Sequence, residues 1–167
     1  MAAEDDLYRV GQRLEPAAAT LLSAGWYFSQ PMIIRFRDLD LFNHVNNAVY
    51  LSYCEMARIG YFYTALHLES VQQIGTILAR VELDYRAPVG LEDRLRVLVR
   101  TTTVGTKSLT LEYRLLTCPA GAPPEAIAAE GRSVLVYYDY ARARSLPVPP
   151  EIAARLEAFE GRRLTKL

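Results

Sequence analysis

Apolar and polar side chains alternate in four successive segments between residues 76 and 138. In the first, Ile77, Ala79, Val81, Leu83 and Tyr85 fall on odd positions and Arg80, Glu82 and Asp84 between them. A period of two marks a strand with one buried and one wet face. Leu95, Val97 and Val99 repeat the pattern, then Leu109, Leu111, Tyr113 and Leu115, and a last strand covers residues 126–138. Val104-Gly105-Thr106-Lys107 reads as a hairpin turn between the second and third segments. Upstream, residues 46–66 contain no proline, and Asn46 or Asn47 can cap a helix there. Its apolar residues Val49, Tyr50, Tyr53, Met56, Ala57, Tyr61, Phe62, Ala65 and Leu66 cover almost the whole circumference, so the helix must be surrounded by protein. Before it, Met32-Ile33-Ile34-Arg35-Phe36 predicts a short strand and residues 37–47 a polar loop. One strand, one long helix and four strands joined by short turns predict an α+β fold: an antiparallel five-stranded sheet wrapped around one long central helix.

The flanks are simpler. Residues 1–30 form an N-terminal extension, with a short helix expected from Pro16, and the main domain takes residues 31–140. Residues 141–167 form a tail, in which Pro147, Pro149 and Pro150 precede an amphipathic helix over 151–159. A chain of 167 residues, 51% hydrophobic, supplies one core and no second domain.

Charge narrows the function classes. Lys plus Arg number 19 and Asp plus Glu 19. That balance argues against a general nucleic-acid or membrane binder, and the first thirty residues are too short and too little basic for a helix-turn-helix. Cys54 and Cys118 have neither disulfide nor zinc spacing, and with only His44 and His67 available no metal or cofactor is expected. The acidic start lacks a secretory apolar segment, which predicts a cytoplasmic protein. Residues 48–66 are long enough to span a bilayer, yet Glu55 and Arg58 in their middle favour a buried helix.

Chemistry concentrates in residues 37–58, Arg-Asp-Leu-Asp-Leu-Phe-Asn-His-Val-Asn-Asn-Ala-Val-Tyr-Leu-Ser-Tyr-Cys-Glu-Met-Ala-Arg. These residues bring carboxylates, amides and an imidazole to a helix N-terminus, where free backbone N–H groups and the positive dipole end favour an oxyanion. A carboxylate there can open an ester or thioester by direct attack or by taking a proton from the attacking water. Asp38 reads mainly as a structural loop residue. His44 either packs in the loop or meets substrate. Glu55 and Arg58, three apart on one helical face, form an ion pair or position water. Cys54 belongs to the core and His67 to the helix C-terminus. Tyr50 is the tyrosine best placed to line an acyl pocket. Arg86, Thr106, Lys107 and Ser108 are candidates for holding phosphates near strand ends.

Asp38-Leu39-Asp40, His44-Val45-Asn46-Asn47, Tyr50, Glu55 and Arg58, followed by helix and four strands, resemble the hot-dog thioesterases of the 4-hydroxybenzoyl-CoA thioesterase type over residues 31–140. The resemblance implies a homodimer or homotetramer, sheets joined edge to edge and active sites at the subunit interface. It makes Asp40 the catalytic aspartate, the backbone amide near Asn47 the oxyanion donor, and Glu55 the base in relatives that use a glutamate within the helix. It also brings the turn of Gly105, Thr106, Lys107 and Ser108 to the nucleotide or pantetheine. Many relatives carry Gly where this chain has Asn43. The expected function is hydrolysis of acyl-CoA thioesters. The alternatives are hydrolysis of acyl groups on acyl carrier protein and a non-catalytic acyl-CoA-binding module.

Overall fold

The computed structural model describes residues 12–14, 21, 24–68, 70–118 and 125–164. In chain order the elements are β1 (Gln12–Arg13), β2 (Phe28–Met32), α1 (Asn47–Leu66), β3 (Thr76–Tyr85), β4 (Arg94–Val104), β5 (Ser108–Cys118), β6 (Ala126–Asp139), β7 (Arg144–Ser145) and α2 (Pro150–Glu160). One antiparallel sheet runs in the order β1-β2-β4-β5-β6-β3, with β7 added to β6. Five long strands and two two-residue strands thus make up the expected sheet. The last four principal strands do not form a simple meander, because β3 pairs with β6 rather than with its neighbour in sequence, β4.

The cap of α1 is Asn46, whose side chain accepts the Ala48 N–H at 2.9 Å, and the helix stops at His67 in a left-handed conformation. Tyr50, Tyr53, Cys54, Ala57, Tyr61, Phe62, Ala65 and Leu66 of α1 share one core with Phe28, Val97, Val99, Leu111, Tyr113, Leu115 and Leu135 of the sheet. Two expectations need correction. The helix is not covered all round: Leu51, Glu55 and Met56 are exposed, Met56 by 51%. Nor does β3 have a buried face, since Ile77, Leu78, Val81 and Tyr85 are all exposed. A bulge between Leu78 and Arg80 breaks the alternation, and β3 is the sheet's free edge. Leu51 and Glu55 of α1 line one groove with Ile77, Leu78 and Val81 of β3, so the two exposed surfaces lie on the same side of the molecule.

The first strand is Phe28–Met32, four residues earlier than the apolar run suggested. Among the described residues β1 pairs with Ser29 and Phe28 and not with Pro31, so no described strand calls on the missing N–H. The short helix expected from Pro16 falls mostly outside the described residues. The outer face of the sheet carries a smaller cluster, in which Trp26 joins Leu98 and Leu116 with Leu14, Leu21 and Ile127 against them. Across that face, Arg100, Glu112, Arg132 and Glu82 stand in register on β4, β5, β6 and β3, an alternating row of charges. Gly131 sits where β6 meets β3 most closely: a Cβ there would lie 2.0 Å from the Glu82 carbonyl oxygen.

Helix α2 packs Leu156 and Phe159 into the main core and brings Glu160 beneath it. The Glu160 Oε1 accepts the Tyr61 hydroxyl at 2.6 Å and the Thr101 N–H at 2.9 Å, while its buried Oε2 has no partner among the described residues. Burial raises the carboxyl above its ordinary value of 4.5 against the opposing hydrogen bonds. A folded state that holds this proton more tightly than the unfolded chain has its full stability below pH 4.5 and loses part of it as pH rises through the raised value. Urea midpoints at pH ~4 and ~7.5 therefore move differently in wild type and Glu160→Gln, with wild type losing ground to the variant at the higher pH.

Candidate active site

The loop between β2 and α1 is built around two aspartates. A one-turn helix over Phe36–Asp38 leads in, and a bridge between Leu39 and Val45 closes the loop at its neck. Asp38 is structural: its Oδ2 accepts the Arg35 N–H and the Tyr53 hydroxyl, each at 2.9 Å. Its carbonyl accepts the Asn46 N–H at 2.8 Å, which fixes the cap of α1. Asp40 is held by its own loop. Its Oδ1 accepts the Phe42 N–H at 2.8 Å and the His44 N–H at 3.3 Å, and its backbone N–H reaches the His44 carbonyl at 2.8 Å. The second carboxylate oxygen, Oδ2, takes no protein hydrogen bond among the described residues, so one oxygen orients the group and the other is free to react.

The turn that does this passes through Asn43 at φ +60°. Glycine enters that region freely, asparagine at modest cost and other residues with strain. The residue that departs from the family pattern therefore keeps the conformation. Asn43→Ala is expected to cost about 1 kcal/mol and Asn43→Gly to be nearly neutral, as read from urea midpoints.

Asp40 faces a cleft of about 300 Å³ whose lining includes His44, Asn47, Tyr50, Tyr85 and Arg86. Asn47 is the first residue of α1, and its N–H lacks an acceptor among the described residues, as helix geometry leaves it. Tyr85 reaches over from β3 to donate its hydroxyl to the Asn47 carbonyl at 2.8 Å and packs edge-on against Tyr50, with ring centroids 5.1 Å apart. Burial, with Tyr85 and Asp40 adding to it, pushes the Tyr50 hydroxyl up to about 12, so it stays a neutral wall of the cleft. The Tyr85 bridge was not legible in the sequence, where Tyr85 counted only as one more apolar strand position. The pairing of a strand end with a helix start is tertiary.

The remaining candidates divide between this cleft and two other places. Arg86 stands at the rim with its guanidinium on Asp84 at 3.1 Å and Glu130 at 3.4 Å. Glu55 lies two turns further along α1, roughly 12 Å from Asn47, exposed and 3.5 Å from Arg58. Thr106, Lys107 and Ser108 form the β4–β5 turn, where Lys107 donates to the Ser145 hydroxyl at 3.2 Å and its carbonyl accepts the Tyr137 N–H. Tyr137 is paired with Thr76, so this turn lies at the start of the ten-residue β3, about 30 Å from the Tyr85 end. Within one chain these three residues do not meet Asp40. Cys54 is buried, and desolvation pushes its thiol up to about 12, which removes it as a nucleophile.

A profile of the thioesterase-like superfamily matches residues 34–156, well over half of the chain. The chain belongs to that superfamily. Its α+β architecture is the hot-dog fold, shared with a thioesterase from Thermus thermophilus crystallised with coenzyme A and Zn. That likeness has 39% identity and a TM-score of 0.72 over 81% of this chain and 96% of that one. The chain is also similar to the long-chain acyl-CoA thioesterase FadM of Escherichia coli strain K12, 25% identical over 74% of this chain and 92% of that protein. An uncharacterized protein of Bacillus subtilis strain 168, YsmA, is 36% identical over 52% of this chain, in an alignment spanning 58% of that relative. For this member of the thioesterase-like superfamily, no helix among the described residues is long and apolar enough to cross a membrane. Nor do three His, Cys, Asp or Glu side chains converge there as a metal set.

Proposed function

We propose that the protein hydrolyses acyl-CoA thioesters, with Asp40 acting on the thioester and the N-terminus of α1 holding the oxyanion. The observation that carries this reading is the oriented Asp40 carboxylate, with one oxygen free, on a cleft shared with the unpaired Asn47 N–H. The thioester carbonyl accepts the Asn47 N–H. Asp40 takes a proton from water as its oxygen attacks the carbonyl carbon, or attacks that carbon itself to give an acyl anhydride that water opens. The tetrahedral intermediate keeps its negative oxygen at the helix end and collapses by expelling the coenzyme A thiolate. Similarity to a thioesterase that binds coenzyme A and to an acyl-CoA thioesterase supports coenzyme A as the carrier.

The active form is a dimer in this reading. The free edge of β3 and its exposed Ile77, Leu78, Val81 and Tyr85, next to Leu51 and Met56 of α1, offer a second copy both backbone hydrogen bonds and apolar cover. Antiparallel pairing of β3 with its two-fold copy sets the start of one β3 beside the end of the other. That places the same turn of the second copy, built from Thr106, Lys107 and Ser108, near the Asp40 cleft, where it would meet phosphates of coenzyme A. A cytoplasmic setting suits Cys54 and Cys118, which are not joined in a disulfide. Thiol release from short, medium, long and aromatic acyl-CoAs tests the proposal: turnover of at least one supports it, and failure with all of them makes the chain a binder or an enzyme for carrier-protein substrates.

A further inference from the structure

A second groove, about 280 Å³ in volume and with no lining residue in common with the Asp40 cleft, lies further along the seam between α1 and β3. Leu51 on the helix and Ile77, Leu78 and Val81 on the strand make its walls apolar. Its far end is different. There the Arg58 side chain, only 13% exposed, has two long protein contacts, to the Tyr113 hydroxyl and to Glu55, each at 3.5 Å. Tyr113 and Ser133, both buried, bond to each other at 2.7 Å behind it. A guanidinium carries five N–H donors; no Arg58 nitrogen is both fully buried and unpartnered, so the donors left by these two long contacts open onto the groove that Arg58 lines. Glu55 compensates poorly, since its carboxylate is 62% exposed and its contact is long.

We propose that this groove receives the acyl part of the substrate and that Arg58 recognises a carboxylate at its far end, so that the preferred substrates are medium-chain acyl-CoAs carrying a terminal carboxyl group. The inference rests on the thioesterase reading and names the substrate class of that same site. Three turns of α1 separate Asn47 from Arg58, roughly 16 Å along the axis, and side chains on a helix lean toward its N-terminus, which shortens the reach. A chain bound with its carbonyl at Asn47 runs past Leu51 and Val81 and meets the guanidinium with its distal end. A planar fork of donors fits a carboxylate in two-point contact, and the apolar walls keep that contact from water. The Glu55 side chain, exposed and weakly held, turns out to solvent as the ligand anion arrives.

The test compares kcat/KM for suberoyl-CoA with that for octanoyl-CoA, and adipoyl-CoA with hexanoyl-CoA, pairs equal in carbon number. Wild type is expected to favour the carboxylated member by about tenfold to a hundredfold, the worth of a charge-assisted hydrogen-bonded pair. In Arg58→Met that ratio falls to near one, and Arg58→Lys, which keeps the cation but loses the two-point fork, retains only part of it. A wild-type ratio near one while octanoyl-CoA is turned over overturns this inference and leaves the thioesterase reading intact. An unchanged ratio in Arg58→Met overturns it as well. If no member of either pair is cleaved, this inference falls, and the long and aromatic acyl-CoAs of the panel decide the thioesterase reading separately. The wild-type ratio requires no variant, so a poorly folded Arg58→Met protein does not protect the proposal.

Discussion

Under the proposed function, Asp40→Asn is expected to lower kcat for acyl-CoA hydrolysis by about 100-fold to 10,000-fold while the protein stays folded. The expectation comes from how the side chain is divided. Oδ1 accepts two loop N–H groups, and an asparagine carbonyl oxygen can accept the same two. The loop therefore keeps its shape, whereas the free position becomes an NH₂ group that neither takes a proton from water nor attacks a carbonyl. General-base catalysis is worth about 100-fold to 10,000-fold, and the Asn47 N–H proposed to hold the oxyanion remains in the variant. KM changes little, because the acyl groove and the phosphate contacts do not involve Asp40. A variant that loses activity together with its cooperative unfolding transition would instead mark Asp40 as a loop-forming residue.

Val81→Lys separates the subunits and removes most of the activity with them. Val81 lies near the middle of the exposed β3 edge, and a lysine there places a charge where the apolar strands of two copies would meet. Val81 is itself exposed in one chain, so the monomer loses little of its own core. Sedimentation should show the mass falling from twice 18.8 kDa to a single 18.8 kDa. kcat/KM falls about 100-fold, because a cleft without its second wall no longer holds the thioester in line and because the lysine enters the groove proposed for the acyl chain. A monomeric wild type, or a monomeric variant with full activity, contradicts the interfacial site.

These expectations show which parts of the molecule are legible in the chain. The loop and helix of the site were, because their chemistry is local: Asn46 caps within two residues, Asp40 bonds within four, and both fall inside one contiguous motif. The hairpin after Val104, the strand ending at Asp139 and the C-terminal helix were also legible from periodicity and proline. Besides the Tyr85 bridge and the open side of α1, other features were not. Met32, Ile33 and Ile34 suggested a strand that in fact ends at Met32, because a run of apolar residues does not say which of them a neighbour pairs. The alternation along β3 promised a buried face that one chain does not supply. Glu160 meets Tyr61 and Thr101 across 99 and 59 residues of sequence, a contact that no periodicity encodes.

The central claim is that Asp40 acts on a thioester bound at the start of α1, and mass spectrometry of the bound ligand tests it most directly. One equivalent of acyl-CoA is mixed with wild type and with Asp40→Asn, and the protein-bound and free species are weighed after a single turnover time. The account predicts free coenzyme A and free acid from wild type, and intact acyl-CoA still bound to the variant. Cleavage at the same rate by the variant, which would move the chemistry to a residue such as Glu55, contradicts it.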